Sequence, residues 1–186
     1  MKAMNRWEDR VPINYKWEDN PFIYWESLVR AFAYKYHLGQ KDKQGEPYFK
    51  HLVMVAKLVE QQNPTKIEND INHKAIIVAY LHDIIEDTKI TAEGLMLLGL
   101  PQEIVDAVVA MTHGKNEKYK DYILRVKKND IARLVKMADL THNTSLDRFL
   151  LSPETREKDL KRVAKYVWAY KYITNKITEE EFLNNF

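Results

Sequence analysis

Residues 75–88 read AIIVAYLHDIIEDT, an apolar run that leads directly into one histidine and three carboxylates. A run of this kind predicts a buried helix with a polar, ionisable end. His82 and Glu86 are four residues apart, as are Asp83 and Asp87, so the four side chains converge on one patch if the helix persists. Carboxylates gathered near a helix C-terminus repel one another and oppose the helix dipole unless a cation lies among them. A divalent metal would remove this conflict.

The rest of the chain also reads as helices, which predicts an all-α fold. The five glycines and six prolines of the 186 residues fall mostly between periodic segments, and no stretch alternates apolar and polar residues as a strand would. Helices are expected over residues 22–37, 47–62 and 71–85, in a short segment capped by Thr91, over residues 101–114 and 118–128, in a segment capped by Asp130 and from Ser152 onward.

This length suits one domain, which we divide into three parts. Residues 1–21 are expected to form an N-terminal arm, residues 22–151 the core that carries the site, and residues 152–186 a C-terminal helical segment packed on the core. On the last helix, apolar residues recur at helical spacing. We expect this stripe to pack in the core, with a homo-oligomer contact as the alternative; its members are Leu160, Val163, Val167 and Tyr170.

Charge and cysteine content exclude several classes of function. The 29 basic and 27 acidic residues leave a net charge of +2, which does not indicate a general nucleic-acid or membrane-surface binder. The absence of cysteine excludes disulfides, thiolate metal sites and cysteine nucleophiles. No apolar run approaches the ~20 residues that span a bilayer, and we expect a cytoplasmic protein.

Two further residues extend the candidate metal site. His51 lies on the helix before the decisive stretch, among apolar residues where a solvated histidine would be out of place, and Asp139 ends another apolar stretch. With His82 and Asp83 they supply two imidazoles and two carboxylates from three helices. Such a mixed nitrogen and oxygen set suits Mn²⁺, Fe²⁺, Co²⁺ or Zn²⁺.

The order of these motifs resembles the HD superfamily of metal-dependent phosphohydrolases, and most closely the (p)ppGpp 3′-pyrophosphohydrolases, or alarmone hydrolases. The resemblance covers about residues 25–148. It is carried by four segments in the same order, which are HLGQ at 37–40, GEPYFKH at 45–51, LHDIIEDT at 81–88 and VKMADLTHN at 135–143. It implies a helical bundle with one divalent metal, which we expect to be Mn²⁺, held between helices by His51, His82, Asp83 and Asp139.

The resemblance also implies roles for residues around that metal. In the family, a Glu-Asp pair one turn after the metal-binding His-Asp activates the attacking water, which implies this role for Glu86 and Asp87. Asn143 matches a position that contacts the nucleotide. Lys136 lies three residues before Asp139, where it either reaches a phosphate or forms a surface ion pair. Tyr48 either stacks on a base or packs internally.

One segment departs from the family pattern. Alarmone hydrolases usually carry arginine in the loop after the first helix, whereas residues 41–44 here read KDKQ. Lys41 and Lys43 can attract a pyrophosphate but lack the planar guanidinium that grips phosphate or stacks on a base, and Asp42 is expected to repel phosphate. We therefore expect weak discrimination between bases.

Three functions remain open from the sequence. The first is hydrolysis of a phosphorylated nucleotide, with release of pyrophosphate from the 3′ position of (p)ppGpp. The second is 5′-nucleotide dephosphorylation on the same scaffold, and the third is a non-catalytic alarmone-binding or antitoxin-like protein. The Glu86-Asp87 pair favours the first, because a pure binder has no need of a water-activating pair.

Overall fold

The structure is a computed structural model that describes residue 17 and residues 22–62, 70–148 and 153–185. It confirms the all-α prediction, and the described ranges contain no strand, only an isolated bridge between Lys41 and Pro47. The helices are α1 (Phe22–Tyr36), α2 (Phe49–Gln62), α3 (Asp70–Leu81), α4 (Ile84–Asp87), α5 (Ala92–Leu97), α6 (Gln102–Met111), α7 (Tyr119–Lys127), α8 (Asp130–Asn143), α9 (Arg156–Ile173) and α10 (Glu179–Asn184).

Helix α3 is the centre of the fold. It packs against α1, α2, α6 and α8, and its apolar run is buried on every side, from Ala75 to Leu81 with only Ile76 partly exposed. Trp25 of α1 and Leu52 of α2 are fully buried beside it. A helix that is hydrophobic all round must be surrounded by other elements, which explains why the carboxyl end of α3 lies in the interior of the bundle.

The predicted helix over residues 71–85 is wrong at its end, because α3 stops at Leu81. The His82 ring turns back so that its Nδ1 lies 2.8 Å from the carbonyl oxygen of Ala79, and it thereby caps that carbonyl. Asp83 then has φ −105° and ψ 3°, between helical and extended backbone, before the single turn of α4. The break separates His82 and Asp83 from the helix direction that Glu86 and Asp87 follow.

Other boundaries also differ from those expected. The side chain of Asn129, and not Asp130, caps α8 by accepting the backbone N–H of Ala132. Helix α9 begins at Arg156, and α10 was not expected. Residues 1–16, 18–21 and 149–152 lie outside the described residues, so the arm is described only at Trp17 and the expected start at Ser152 is not described. The division into three parts stays a prediction.

The apolar stripe of α9 packs in the core only in part, since Tyr170 contacts the core and two other members lie exposed. Leu160 and Val167 are 57% and 39% exposed. The residues of α9 that are buried are Asp159, Ala169, Tyr172 and Ile173. The helix packs on α7 and α8, and the polar and aromatic residues of its inward face border the pocket described below. In the described part of the chain, no helix combines the length and the apolar character needed to cross a bilayer.

Candidate active site

Four side chains at the carboxyl end of α3 form what we call the floor: His51, His82, Asp83 and Asp139. His51 comes from α2 and Asp139 from α8, and both are buried, as is His82. Single ligand atoms of these three residues lie within 4.8 Å of one another. Oδ2 of Asp83 lies 2.9 Å from Nε2 of His82 and 3.9 Å from Nε2 of His51. The structure therefore brings all four predicted ligands together.

The hydrogen bonds of the two imidazoles fit a metal site. Because Nδ1 of His82 faces a carbonyl oxygen, this atom carries the proton, and Nε2 is left buried without a hydrogen-bond partner. Its contact with Asp83 is close but does not have the geometry of a hydrogen bond. Nδ1 of His51 lies 2.7 Å from Nδ1 of His142, so donation to His142 leaves Nε2 of His51 directed at the carboxylates. The Nε2 atoms of both histidines thus face the carboxylates of Asp83 and Asp139, as ligands of one metal would.

The charges of the floor residues shift one another's pKa values. Burial opposes charge on His82, but Asp83 and Asp139 outweigh it and raise the pKa of His82 to about 9. Burial likewise disfavours the Asp83 carboxylate, yet the charges of His82 and His51 lower its pKa. The carboxylates thus favour a cation among them, in the form of protonated imidazole or of a metal. The cluster has a donor set that could hold a divalent metal, as the sequence predicted.

Asp139 is held by two residues that the sequence assigned to the substrate. Nζ of Lys136 donates to its Oδ2 at 2.7 Å, and Nδ2 of Asn143 donates to its Oδ1 at 2.5 Å. Lys136 is only 8% exposed, so this is a buried ion pair and not the surface pair considered from the sequence. Both side chains also border the pocket. They orient the Asp139 carboxylate, whether or not they also contact a substrate.

Tyr48 lies between the floor and the first helix. Its hydroxyl donates to Oδ2 of Asp83, and its ring centroid lies 5.3 Å from that of His37 and 5.5 Å from that of His51. Burial, together with the charge of Asp83, raises the pKa of Tyr48, so the phenol stays protonated and remains a donor. The residue therefore supports a floor carboxylate, while part of its ring borders the pocket.

Glu86 and Asp87 lie beyond the helix break and differ in their surroundings. Glu86 borders the pocket, and its Oε2 accepts the backbone N–H of His113 at 2.9 Å. Asp87 is not among the residues that line this pocket. Burial and the charges of Asp83 and Glu86 raise the pKa of Asp87 to about 6. The two carboxylates predicted from the sequence as one pair thus occupy different positions.

Above the floor the pocket encloses about 460 Å³ and is bordered by cationic side chains. We call this border the rim; it consists of Lys41, Lys43, Arg148, Arg162 and Lys165. Lys41 and Lys43 were predicted, whereas the three residues near α8 and on α9 were missed. Arg162 and Lys165, three residues apart and next to Tyr166, form a helical face that could have indicated them.

Asp42 does not add free negative charge to the rim, which corrects the expected repulsion. Its Oδ2 accepts from Arg148, and its Oδ1 accepts the backbone N–H groups of Gln44 and Glu46 at 2.9 and 3.0 Å. The turn closes through Gly45, whose φ of +83° is easily adopted only by glycine. Arg148 therefore brings to this loop the guanidinium that the loop sequence lacks.

No family model matches the chain. It is 34% identical over 117 residues to the guanosine-3′,5′-bis(diphosphate) 3′-pyrophosphohydrolase of Haemophilus influenzae, and this alignment covers 58% of this chain and 16% of that protein. It is 32% identical over 151 residues to a probable enzyme of the same name from Synechocystis, which covers 75% of this chain and 18% of that protein.

A solved structure has a related fold. It is that of a metazoan orthologue of SpoT, described as hydrolysing ppGpp and acting in starvation responses, and it covers 82% of this chain and 94% of its own, with a TM-score of 0.53 and 21% identity. The present chain spans about a sixth of the length of the curated relatives it matches. The predicted resemblance is thus confirmed: the chain is related in sequence to a segment of the (p)ppGpp 3′-pyrophosphohydrolases and shares its fold with a metazoan orthologue of SpoT.

Proposed function

We propose that this protein is a metal-dependent phosphohydrolase that releases pyrophosphate from the 3′ position of (p)ppGpp or a closely related nucleotide. The observation that carries the proposal is the arrangement of one pocket, with a donor set for a divalent metal at its floor and five cations at its rim. The names of the relatives in Haemophilus and Synechocystis support the same substrate class.

We further propose that His51, His82, Asp83 and Asp139 hold one divalent cation, and that this cation is Mn²⁺. When bound, it would supply positive charge that offsets the charge developing on the phosphoryl oxygens. Tyr48, Lys136 and Asn143 keep the two floor carboxylates in position through the hydrogen bonds described above. These contacts reduce the reorganisation that the reaction requires.

Glu86 is the residue best placed to take a proton from the attacking water, because its carboxylate is exposed at the pocket beside the floor. Asp87, which does not line the pocket, is proposed to assist it. The rim binds the phosphates by charge, through Lys41 and Lys43 together with Arg148, Arg162 and Lys165.

A cytoplasmic location and a homo-oligomeric state remain predictions.

The proposal is tested by measuring product release over a panel of nucleotides, with Mn²⁺ and with a chelator. The panel contains 3′-pyrophosphorylated guanosine and adenosine nucleotides and simple 5′-nucleotides. We expect pyrophosphate release from the 3′-substrates with Mn²⁺ and none with the chelator. Turnover of 5′-nucleotides alone would favour the second function considered above, and binding without turnover would favour the third.

A further inference from the structure

Arg125 of α7 lies outside the pocket, yet its side chain makes several hydrogen bonds to the segment that follows α6. Its Nη1 donates to the carbonyl oxygens of Val109 and Ala110 at 3.1 and 3.0 Å, and its Nη2 donates to that of Thr112 at 2.9 Å. These carbonyls lie at the carboxyl end of α6, where a helix leaves its last carbonyls without partners of its own. The carbonyl of Val109 also accepts the backbone N–H of Thr112 at 3.1 Å. One guanidinium therefore fixes the point at which the chain leaves α6.

The same guanidinium also fixes the next turn through Glu117. Nε and Nη2 of Arg125 donate to the two oxygens of this carboxylate at 2.9 and 2.8 Å, a bidentate pair. Oε2 of Glu117 accepts the backbone N–H of Gly114 at 3.1 Å. A Cβ atom at Gly114 would lie 3.2 Å from that of Glu117, so the two residues are in close contact. Residues 112–117 are thus wrapped around Arg125, and we call them the clamped loop.

The clamped loop ends at the pocket. Within it, the backbone N–H of His113 donates to Oε2 of Glu86 at 2.9 Å, and both residues border the pocket. Nε2 of the His113 ring lies 2.8 Å from the carbonyl oxygen of Glu117, which holds the ring inside the loop. Among the described residues, the Glu86 carboxylate accepts its hydrogen bond from this backbone N–H. The direction in which Glu86 points therefore depends on the loop.

We propose that Arg125 is a positioning residue for Glu86, acting through the clamped loop and the N–H of His113. The inference rests on the proposed function, since it assigns a purpose to the orientation of the proton acceptor. Arg125 lies about forty residues after Glu86 in the chain and contributes no atom to the pocket, so the inference extends the active site beyond the residues that line it. Arg125 is expected to affect the position of Glu86 without affecting the floor.

The first test measures the position of the loop directly and needs no substrate. In Arg125→Ala, the amide resonance of His113 should move upfield, and its hydrogen exchange should accelerate by about tenfold or more as the loop opens locally. Glu86→Gln should move the same resonance, because it removes the charge of the acceptor. Arg133→Ala is the matched control, since Arg133 makes a single ion pair with Asp130 on α8. An unchanged His113 amide in Arg125→Ala would overturn the proposal, whether or not the protein hydrolyses any nucleotide.

The second test separates positioning from a general loss of structure. Arg125→Ala should lower kcat by about tenfold, with KM and metal content within about twofold of the wild type. Arg125→Lys should recover part of the loss, and Glu117→Gln, which leaves the bonds to α6 in place, should show a smaller loss in the same direction.

The decisive comparison is the double variant. If Arg125 acts through Glu86, adding Arg125→Ala to Glu86→Gln should cost no more than about twofold. Full additivity of the two losses, or a rise in KM with kcat unchanged, would refute the positioning role. A wild-type protein that hydrolyses nothing would refute the proposed function, and the amide measurement would then decide the inference alone.

Discussion

The floor and the rim of the pocket are built on opposite physical principles. The floor gathers two carboxylates and two imidazoles at the ends of packed helices, where His51, His82 and Asp139 are each less than 5% exposed. The rim gathers five cations from a loop, the segment after α8 and the face of α9. Charges in the floor interact at low effective dielectric and hold one another in place, whereas charges at the rim are screened by water and salt.

This difference indicates that the floor and the rim have different roles. A buried cluster has a fixed geometry, and removing one member leaves its partner buried and unpaired. The rim cations are exposed or half-buried, and the loss of one leaves the other four to attract phosphate. We therefore expect floor variants to lose metal and stability, and rim variants to lose affinity alone.

The largest effect is expected for Asp139→Asn. This change removes a metal ligand and leaves the Lys136 ammonium without its partner at 2.7 Å, which should cost about 3–5 kcal/mol of unfolding free energy and abolish metal binding. Urea unfolding and elemental analysis measure the two losses. In the double variant with Lys136→Met, stability should return without the metal. Full metal occupancy in the single variant would contradict the assignment of Asp139 as a ligand.

Between floor and rim, Glu86→Gln should lower kcat by about 10²–10⁴-fold with metal content unchanged, because the amide keeps the shape of the side chain but cannot accept the proton. Asp87→Asn should cost less, since Asp87 does not line the pocket. Steady-state kinetics on metal-loaded protein tests both. Wild-type turnover in both variants would remove the catalytic role from this pair.

At the rim, Arg148→Ala should raise KM by about 10–100-fold with little change in kcat or metal content, the range for one hydrogen bond to a charged group. Asp42→Asn is the matched variant, because it breaks the same ion pair but leaves the cation in place. It should leave KM unchanged or lower it. Equal increases of KM in both variants would show that the pair anchors the loop and does not bind phosphate.

The dependence of rate on pH should report Asp87. Burial and the neighbouring carboxylates raise its pKa to about 6, so the group is protonated below that pH and ionised above it. If the ionised form is required, kcat/KM should fall by about tenfold for each pH unit below 6. The fall should be absent in Asp87→Asn. An identical pH profile in this variant would assign the titration to another group.

The smallest effect is expected for the base. Arg148 pairs with Asp42 and is proposed to bind phosphate, which leaves the loop without a guanidinium for stacking on a base. Guanine and adenine 3′-pyrophosphorylated nucleotides should therefore differ in kcat/KM by about tenfold or less. A thousandfold preference for guanine would show that other residues of the pocket, such as Tyr48 and Asn143, read the base.

The sequence predicted the floor because its residues lie in short local motifs. His82 and Asp83 follow the most apolar segment of the chain, and Asp139 ends another, so burial and chemistry are visible together. The helix break at His82 could not be predicted, because it depends on the orientation of one ring toward Ala79. Helix α10 had a readable signal, since Thr178 and Glu181 form a capping box.

The rim was predicted only in part, because it depends on contacts between distant residues. Whether Asp42 repels phosphate or holds Arg148 is decided by how α8 packs beside the loop, and no local pattern contains that information. Leu160 and Val167 of the α9 stripe were misassigned for a similar reason. Periodicity showed an apolar face, but the face of α9 turned inward is the one whose polar and aromatic residues complete the pocket.

The Asp42–Arg148 pair also connects the pocket to the order of folding. Its members are 106 positions apart, so the pair closes a chain segment that contains α2 to α8. The entropy of closing so long a segment is compensated only after those helices have packed. A brief detachment of residues 144–148, which follow α8, would break this pair while α3 stays folded. Native-state hydrogen exchange should then show the Arg148 amide exchanging well before the amides of α3.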